Sequence, residues 1–276
     1  MRARETALVM VRELREAMRG RWFVLASLSF LVLSLGLSLL GLAGSQRSGL
    51  AGFDRTTASL LNLALVFVPL LTFFVGALGI SGELEDGSLA MLIAQPVTRD
   101  EVFTGKFLGS LAAVWAALLT GFGTTGVVVG LYAGGNVTAF LSLLGLLMVY
   151  SASTLAIGTL LSVTLRSRVR AIGAAFTAWL LFVYVSDLGS IGLVIARGLT
   201  PAQLFALALL NPVQQARVAG TLVLTDRLEV IGPVGIFALD HLGATGVAVL
   251  LNVLLASTAV VLLLVGQRIF RRAVLA

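Results

Sequence analysis

Six long stretches of the chain are almost free of charge, and this feature restricts the fold more than any other. They cover residues 23–44, 59–80, 107–132, 138–164, 171–196 and 245–267, and within them only Asp187 is charged. A bilayer core about 30 Å thick is crossed by about 20 apolar residues in an α-helix. In lipid, a helix also satisfies its own backbone groups, which an open sheet does not. The sequence therefore predicts an all-α membrane protein with six transmembrane helices in a single domain over residues 1–276.

The composition excludes several other classes of protein. Only 12% of the 276 residues are charged, about half the fraction of a soluble domain, which argues against a soluble enzyme, a disordered chain and a coiled coil. The chain has no Cys and one His, so disulfides and thiolate metal sites are excluded, and His241 alone is a poor metal ligand. The net charge of +6 fits anchoring at a membrane surface better than binding to nucleic acid.

The distribution of Lys and Arg predicts the orientation. Fourteen of the 19 basic residues lie before the first stretch, after the second, after the fourth and after the sixth. Basic residues are enriched in cytoplasmic loops, so we expect a multi-pass inner-membrane protein with both termini in the cytoplasm. Residues 1–21 predict an amphipathic interface helix, with Ala7, Val11, Leu14 and Met18 on one face, suited to lipid headgroups. A simple positive anchor is the alternative.

Residues 81–106 form the most informative loop. A Gly and acid cluster is followed by a short apolar segment, then by Pro96 and by Thr98 with an acid three residues later. The pattern predicts a short helix, a break at Pro96, and a capping box that starts the third span near Arg99. A short helix followed by a break suits a segment that docks on a partner and transmits its motion to the spans. A plain solvated loop is the alternative.

Residues 197–244 form the largest segment on the other side. Residues 201–210 and 230–239 are apolar but too short to span, which predicts re-entrant or surface helices with a break at Asn211. Asp187, near Tyr184, lies toward the outer end of the fifth span. An ionisable residue in a span indicates a functional site, but Asp187 also lies close enough to the outer headgroups to reach them.

The motifs of common enzymes are missing from the sequence. It contains no G-x-x-x-x-G-K-[ST] segment, the phosphate-binding loop of many ATPases. With one His, it offers no nucleophile, base and acid set. We therefore expect no catalytic residues, no cofactor and no metal.

The 81–106 loop resembles the signature loop of ABC type-2 permeases. The similarity is carried by the run from Gly82 to Leu89, by residues 95–99, and by Gly105 with Lys106. Within that family the chain is most similar to the permease of the Nos-type transporter, which helps to mature the copper sites of nitrous oxide reductase. Residues 19–22, 209–212 and 269–272 and the run before Asp187 support that resemblance.

The resemblance implies the partners and the mechanism. Two permease copies would pair and dock on separate ATPase subunits, with a periplasmic accessory protein on the outer segment. The residues expected to contact the ATPase or to transmit its motion are Gly82, Glu83, Glu85, Gly87, Pro96, Arg99 and Lys106. Those expected at the path or the outer partner are Asp187, Tyr184 and Asn211. The cargo would be a sulfur species or copper. The alternatives are an exporter of lipid, drug or peptide, a non-transporting assembly protein, and a secondary transporter.

Overall fold

Long helices account for nearly all of the chain that the structure describes. The computed structural model describes residues 3–45, 51–95, 97–133, 137–189, 192, 198–225 and 233–273. Its helices are α1 (Ala3–Arg19), α2 (Arg21–Ser45), α3 (Ala51–Glu85), α4 (Ser88–Ile93), α5 (Arg99–Leu118), α6 (Thr124–Ala133), α7 (Val137–Leu165), α8 (Arg168–Leu180), α9 (Pro201–Ala208), α10 (Pro212–Thr225) and α11 (Pro233–Ala273).

Six of these helical segments are long and apolar enough to cross a membrane, which confirms the six predicted spans. They are Phe23–Leu40, Thr57–Glu85, Arg99–Val128, Thr138–Leu165, Arg168–Gly189 and Val234–Arg272. The helices α3 and α5 extend beyond the uncharged stretches, and charged residues in these extensions pair with each other, as Glu83 of α3 does with Lys106 of α5. The helix α3 continues to Glu85 and so extends into the predicted loop, while α5 begins at Arg99, as the sequence predicts.

The centre of the bundle is the crossing of α3 and α7, where two glycines bring the backbones together. A Cβ on Gly158 would lie 2.7 Å from the carbonyl oxygen of Phe73, and a Cβ on Gly76 would lie 2.7 Å from the backbone nitrogen of Thr159. Small residues permit such close approach of helices in lipid. Buried hydroxyl groups join the same pair of helices, as when Thr72 Oγ1 donates to Thr154 Oγ1 at 2.8 Å.

Within the described residues, two spans contain a π-helical turn, at Leu119–Gly123 and at Leu181–Val185. A π-turn disturbs the regular backbone hydrogen bonds of an α-helix, and side chains bind carbonyls at both turns. Thr125 Oγ1 donates to the Gly121 carbonyl at 2.8 Å, and Asn211 Nδ2 donates to the Phe182 carbonyl at 2.8 Å.

The described part of the segment before the last span, residues 198–225, contains two helices, α9 and α10. The first, α9, falls in the predicted apolar stretch and begins with a capping box formed by Thr200 and Gln203. The second, α10, was not predicted, and it packs against α3, α7 and α11 through buried Val213, Ala216 and Ala219. The last helix, α11, contains a kink at Gly243, where φ is 67°. The predicted apolar stretch at 230–239 lies outside the described residues up to position 232 and in α11 beyond it.

Candidate functional site

Lys106 joins three helices at the end of the bundle where α3 ends and α5 begins, which we call the α4 end. Only 4% of its side chain is exposed, and its Nζ lies 2.6 Å from Glu13 Oε2 on α1 and 2.9 Å from Glu83 Oε1 on α3. Ser110 Oγ also donates to Glu13 Oε1, at 3.4 Å. A buried ammonium is tolerated when it is paired, so this cation keeps the two carboxylates, and therefore the two helices, close to α5.

Burial also acts on the carboxylate of Glu13. Desolvation raises the pKa of the Glu13 carboxyl above its usual range, while the nearby Lys106 ammonium opposes that shift. The Glu13 side chain is only 14% exposed, so its carboxylate is stabilised mainly by the Lys106 ammonium and not by water.

Two glycines let α1 pack directly on α5. A Cβ on Gly105 would lie 2.7 Å from Val9 Cβ, and a Cβ on Gly109 would lie 2.5 Å from Glu13 Cβ. In both helices the contacting residues are four positions apart and so lie on one face. The apolar face predicted from Val11 and Met18 is a different face of α1, since these side chains are about half exposed.

The short helix α4 presents Met91 outward and two leucines inward. The helix follows Asp86 and Gly87. Gly87 turns the chain, with φ 73°, a conformation that favours glycine. Leu89 and Leu92 are 2% and 5% exposed in a cluster with Ile80, Phe103, Val163 and Phe270. Met91 is 77% exposed, and the acids Glu85 and Asp86 just before α4 are exposed as well. The buried leucines therefore fix α4 in place, and its exposed surface combines Met91 with two neighbouring acids.

The start of α8 holds the end of α3 in place. Arg168 Nη2 lies 2.7 Å from Asp86 Oδ2, and the backbone N–H of Arg168 donates to Glu85 Oε1 at 2.8 Å. The preceding turn is tight, because Arg166 adopts φ 52° between α7 and α8. The first residues of α8 and the last turn of α3 are thereby bound to each other.

The start of α5 is capped and tied to the end of α11. Thr98 and Glu101 form the predicted capping box, with Thr98 N–H donating to Glu101 Oε2 at 2.9 Å, so that prediction is confirmed. The Asp100 carboxylate pairs with the Arg271 guanidinium. Arg99 Nη1 also donates to the Arg271 carbonyl, at 2.9 Å. The first and last helices of the described chain therefore both reach the α4 end.

A second polar cluster lies at the opposite end of the bundle, between the end of the fifth span and α10. Arg217 Nη1 is 2.8 Å from Asp187 Oδ2, and Gln214 donates to Asp187 Oδ1. Asn211 donates to Ser186 Oγ at 2.8 Å and accepts from the Val213 N–H at 2.8 Å, which caps α10. Asp187 is thus a salt-bridged residue, with about a third of its side chain exposed.

The match to known proteins decides the family. The model of the ABC-2 family transporter proteins matches residues 7–274, nearly the whole chain. The chain belongs to the ABC-2 family of transporter proteins. It is 35% identical over 208 residues to the probable ABC transporter permease protein NosY of Stutzerimonas stutzeri, with 73% of this chain and 75% of that protein aligned. The protein of the same name from Pseudomonas aeruginosa is 33% identical over 208 residues, covering 73% of this chain and 76% of its own length.

Family membership establishes the general role of this ABC-2 chain. It is a NosY-like permease subunit with several membrane spans, and an ABC permease works with a separate ATPase subunit. The resemblance inferred from the 81–106 loop is confirmed at the level of the family and of the NosY-like group.

The structure places the predicted site residues in two groups. The α4 end contains Gly82, Glu83, Glu85, Gly87, Arg99 and Lys106, while Pro96 lies outside the described residues. The opposite end contains Asp187, Asn211 and Tyr184, whose ring packs edge-on against Trp179. The contribution of each residue to transport remains a prediction.

Sequence reasoning missed the partners of these residues. Glu13 pairs with Lys106 across 93 positions, and Arg217 pairs with Asp187 across 30. No spacing rule connects residues so far apart. The sequence did carry a weaker signal. Glu13 lies four residues after the apolar Val9 and so on the same face of α1, and Val9 is buried in the structure.

Proposed function

We propose that two copies of this chain form the membrane part of an ABC transporter whose ATPase subunits dock at the α4 end. Both termini would then lie in the cytoplasm, as the distribution of basic residues predicts. ATP-driven closure of the ATPases would move the α4 end and alter access to a path between the two permeases. Packed elements move as rigid units in such transitions.

The observation that carries this proposal is the combination of exposure and anchoring around α4. Met91 and the acids at positions 85 and 86 face outward. Behind them, ion pairs or hydrogen bonds link α3 to α5, α3 to α8, and α5 to α11. A partner that binds this surface would therefore push on several spans together.

We further propose that the transporter serves the maturation of the copper sites of nitrous oxide reductase. The similarity to NosY proteins supports this role. The chain contains no Cys and one His, and copper relays use soft or imidazole ligands. A sulfur species, or mechanical work on a periplasmic accessory protein, fits this chain better than copper as the cargo.

The first experiment is a pull-down of the tagged chain from membranes, followed by mass spectrometry. Recovery of an ABC ATPase is expected, together with a periplasmic protein if the Nos-type role holds. Recovery of the ATPase alone, from cells that make nitrous oxide reductase, would favour a general exporter. Absence of any ATPase, under conditions that preserve a known ABC complex, would refute docking at the α4 end.

A matched pair of variants locates the docking surface. Met91→Asp places a charge on α4 and should strongly reduce ATPase recovery. Leu210→Asp is the control, because Leu210 is 78% exposed, nearly the same as Met91, but lies at the opposite end. Equal ATPase recovery with Met91→Asp and Leu210→Asp would place the docking surface elsewhere.

The role in copper-site maturation is tested in cells that lack the gene. Nitrous oxide reductase purified from them should have less copper in its sites, and the wild-type chain should restore it. A fully loaded reductase in the deletion strain would refute this part of the proposal while leaving the ATPase partnership intact.

A further inference from the structure

The interface helix α1 is connected to the α4 end more tightly than an anchor would require. Its Val9 and Glu13 lie against Gly105 and Gly109 of α5, at distances that leave no room for a Cβ on either glycine. Glu13 adds an ion pair of 2.6 Å to Lys106, whose Nζ is also 2.9 Å from Glu83. One ammonium therefore connects α1 to the last turn of α3.

The connection continues into the first span. The first helix ends at Arg19 and α2 begins at Arg21, so Gly20 alone separates them. The Gly20 N–H donates to the Ala17 carbonyl at 3.0 Å, and the Val24 N–H donates to the Gly20 carbonyl at 3.1 Å. Because this joint is a single residue with backbone hydrogen bonds on both sides, we expect a displacement of α1 to move α2 as well.

We infer that Glu13 is a positioning residue which, through Lys106, makes α1 and the first span part of the unit that the ATPase moves. The inference rests on the proposed function, because it needs an ATPase at the α4 end. It adds a role for α1, since a plain anchor needs only positive charge and an apolar face. Removal of the Glu13 charge should leave Lys106 paired with Glu83 alone and release α1 from the moving unit.

The test uses the permease–ATPase complex reconstituted in liposomes. The chain has no native Cys, so Leu210→Cys carries a single spin label at the end opposite α4. The distance between the labels of the two copies is measured without nucleotide and after trapping with ATP and vanadate. ATP hydrolysis is measured on the same samples.

Glu13→Gln should keep ATPase binding and hydrolysis but weaken the change of distance on trapping. The ratio of shifted to unshifted complexes should fall about tenfold, within the range typical of coupling between sites. Glu13→Asp, which keeps the charge, should restore most of the shift. Glu5→Gln is the control, because Glu5 is an acid of the same helix that lies eight residues before Glu13, and this variant should behave as wild type.

A second variant covers the case in which Glu13→Gln does not fold. Gly105→Ala keeps every charge but would bring a Cβ to 2.7 Å from Val9, so it should separate α1 from α5 and reduce the shift as well. A normal shift in both Glu13→Gln and Gly105→Ala would overturn the inference. Absence of any shift in the wild-type complex would instead refute the proposed function, and with it this inference.

Discussion

Replacement of Gly158 by alanine should test whether the α3–α7 crossing determines the stability of the bundle. The added Cβ would lie 2.7 Å from the Phe73 carbonyl oxygen and 3.0 Å from Phe73 Cα, whereas ordinary contact begins at 3.4 Å. Both obstructing atoms belong to the backbone, so no side-chain rotation relieves the clash. The two helices must move apart by about 0.7 Å.

The cost of that separation can be compared with a control on the same helix. A Cβ on Gly145 of α7 meets no atom within 4 Å. Both substitutions gain the same helix propensity, about 0.5–1 kcal/mol, so this gain cancels in the comparison. Gly158→Ala should therefore lower the free energy of unfolding by about 1–3 kcal/mol relative to Gly145→Ala, the usual cost of overpacking.

Reversible unfolding in mixed micelles, with denaturing detergent as the titrant, measures this difference. Trp115 is a suitable fluorescent reporter, because its Nε1 donates to the Met148 carbonyl of α7 at 3.2 Å. Gly76→Ala on α3 should repeat the result, with Gly79→Ala as its control, since a Cβ on Gly79 also meets no atom within 4 Å. Equal stability of Gly158→Ala and Gly145→Ala would refute the view that this crossing is held at backbone contact.

Three further predictions concern the two polar ends. Lys106→Met should destabilise the fold by about 3–5 kcal/mol, because it leaves two largely buried carboxylates without their cation, and the same titration would detect it; an unchanged midpoint would contradict the burial argument. Asp187→Asn and Arg217→Gln should each weaken the attachment of α10, which protease cleavage near α10 would measure. The double variant should be no worse than either single one, and additive losses would mean that the two residues act separately. Thr98→Ala should cost about 0.5–2 kcal/mol through loss of the N-cap, whereas Thr98→Ser should remain close to wild type in the same assay.

The sequence was sufficient for the features that depend on local pattern. The length of an uncharged stretch determines whether a helix can span, and all six predicted spans correspond to helices in the structure. The capping box at Thr98 and the short helix after Gly87 also follow from neighbouring residues, and both are present. The exact end of α3 did not follow, because Glu85 is held in place by the distant Arg168.

The features that depend on distant residues could not be predicted in the same way. The helix α10 contains Gln214, Gln215 and Arg217, so it does not look apolar. Two of these polar side chains nevertheless bind Asp187 at the end of the fifth span, while Val213 and Ala216 are buried. Likewise, the charge pattern of α1 indicated a membrane surface, but nothing in it indicated that Glu13 would be the partner of Lys106.

The π-turns at Leu119–Gly123 and Leu181–Val185 affect how any mutational scan of these spans should be interpreted. Each turn places one extra residue in the helix, and a residue occupies about 100° of rotation when 3.6 residues make a turn. Side chains after the turn are therefore rotated by about that angle relative to the stripe that an unbroken helix would continue. In the third and fifth spans, the helix face that contacts a given environment must therefore be assigned separately for the residues before the turn and for those after it.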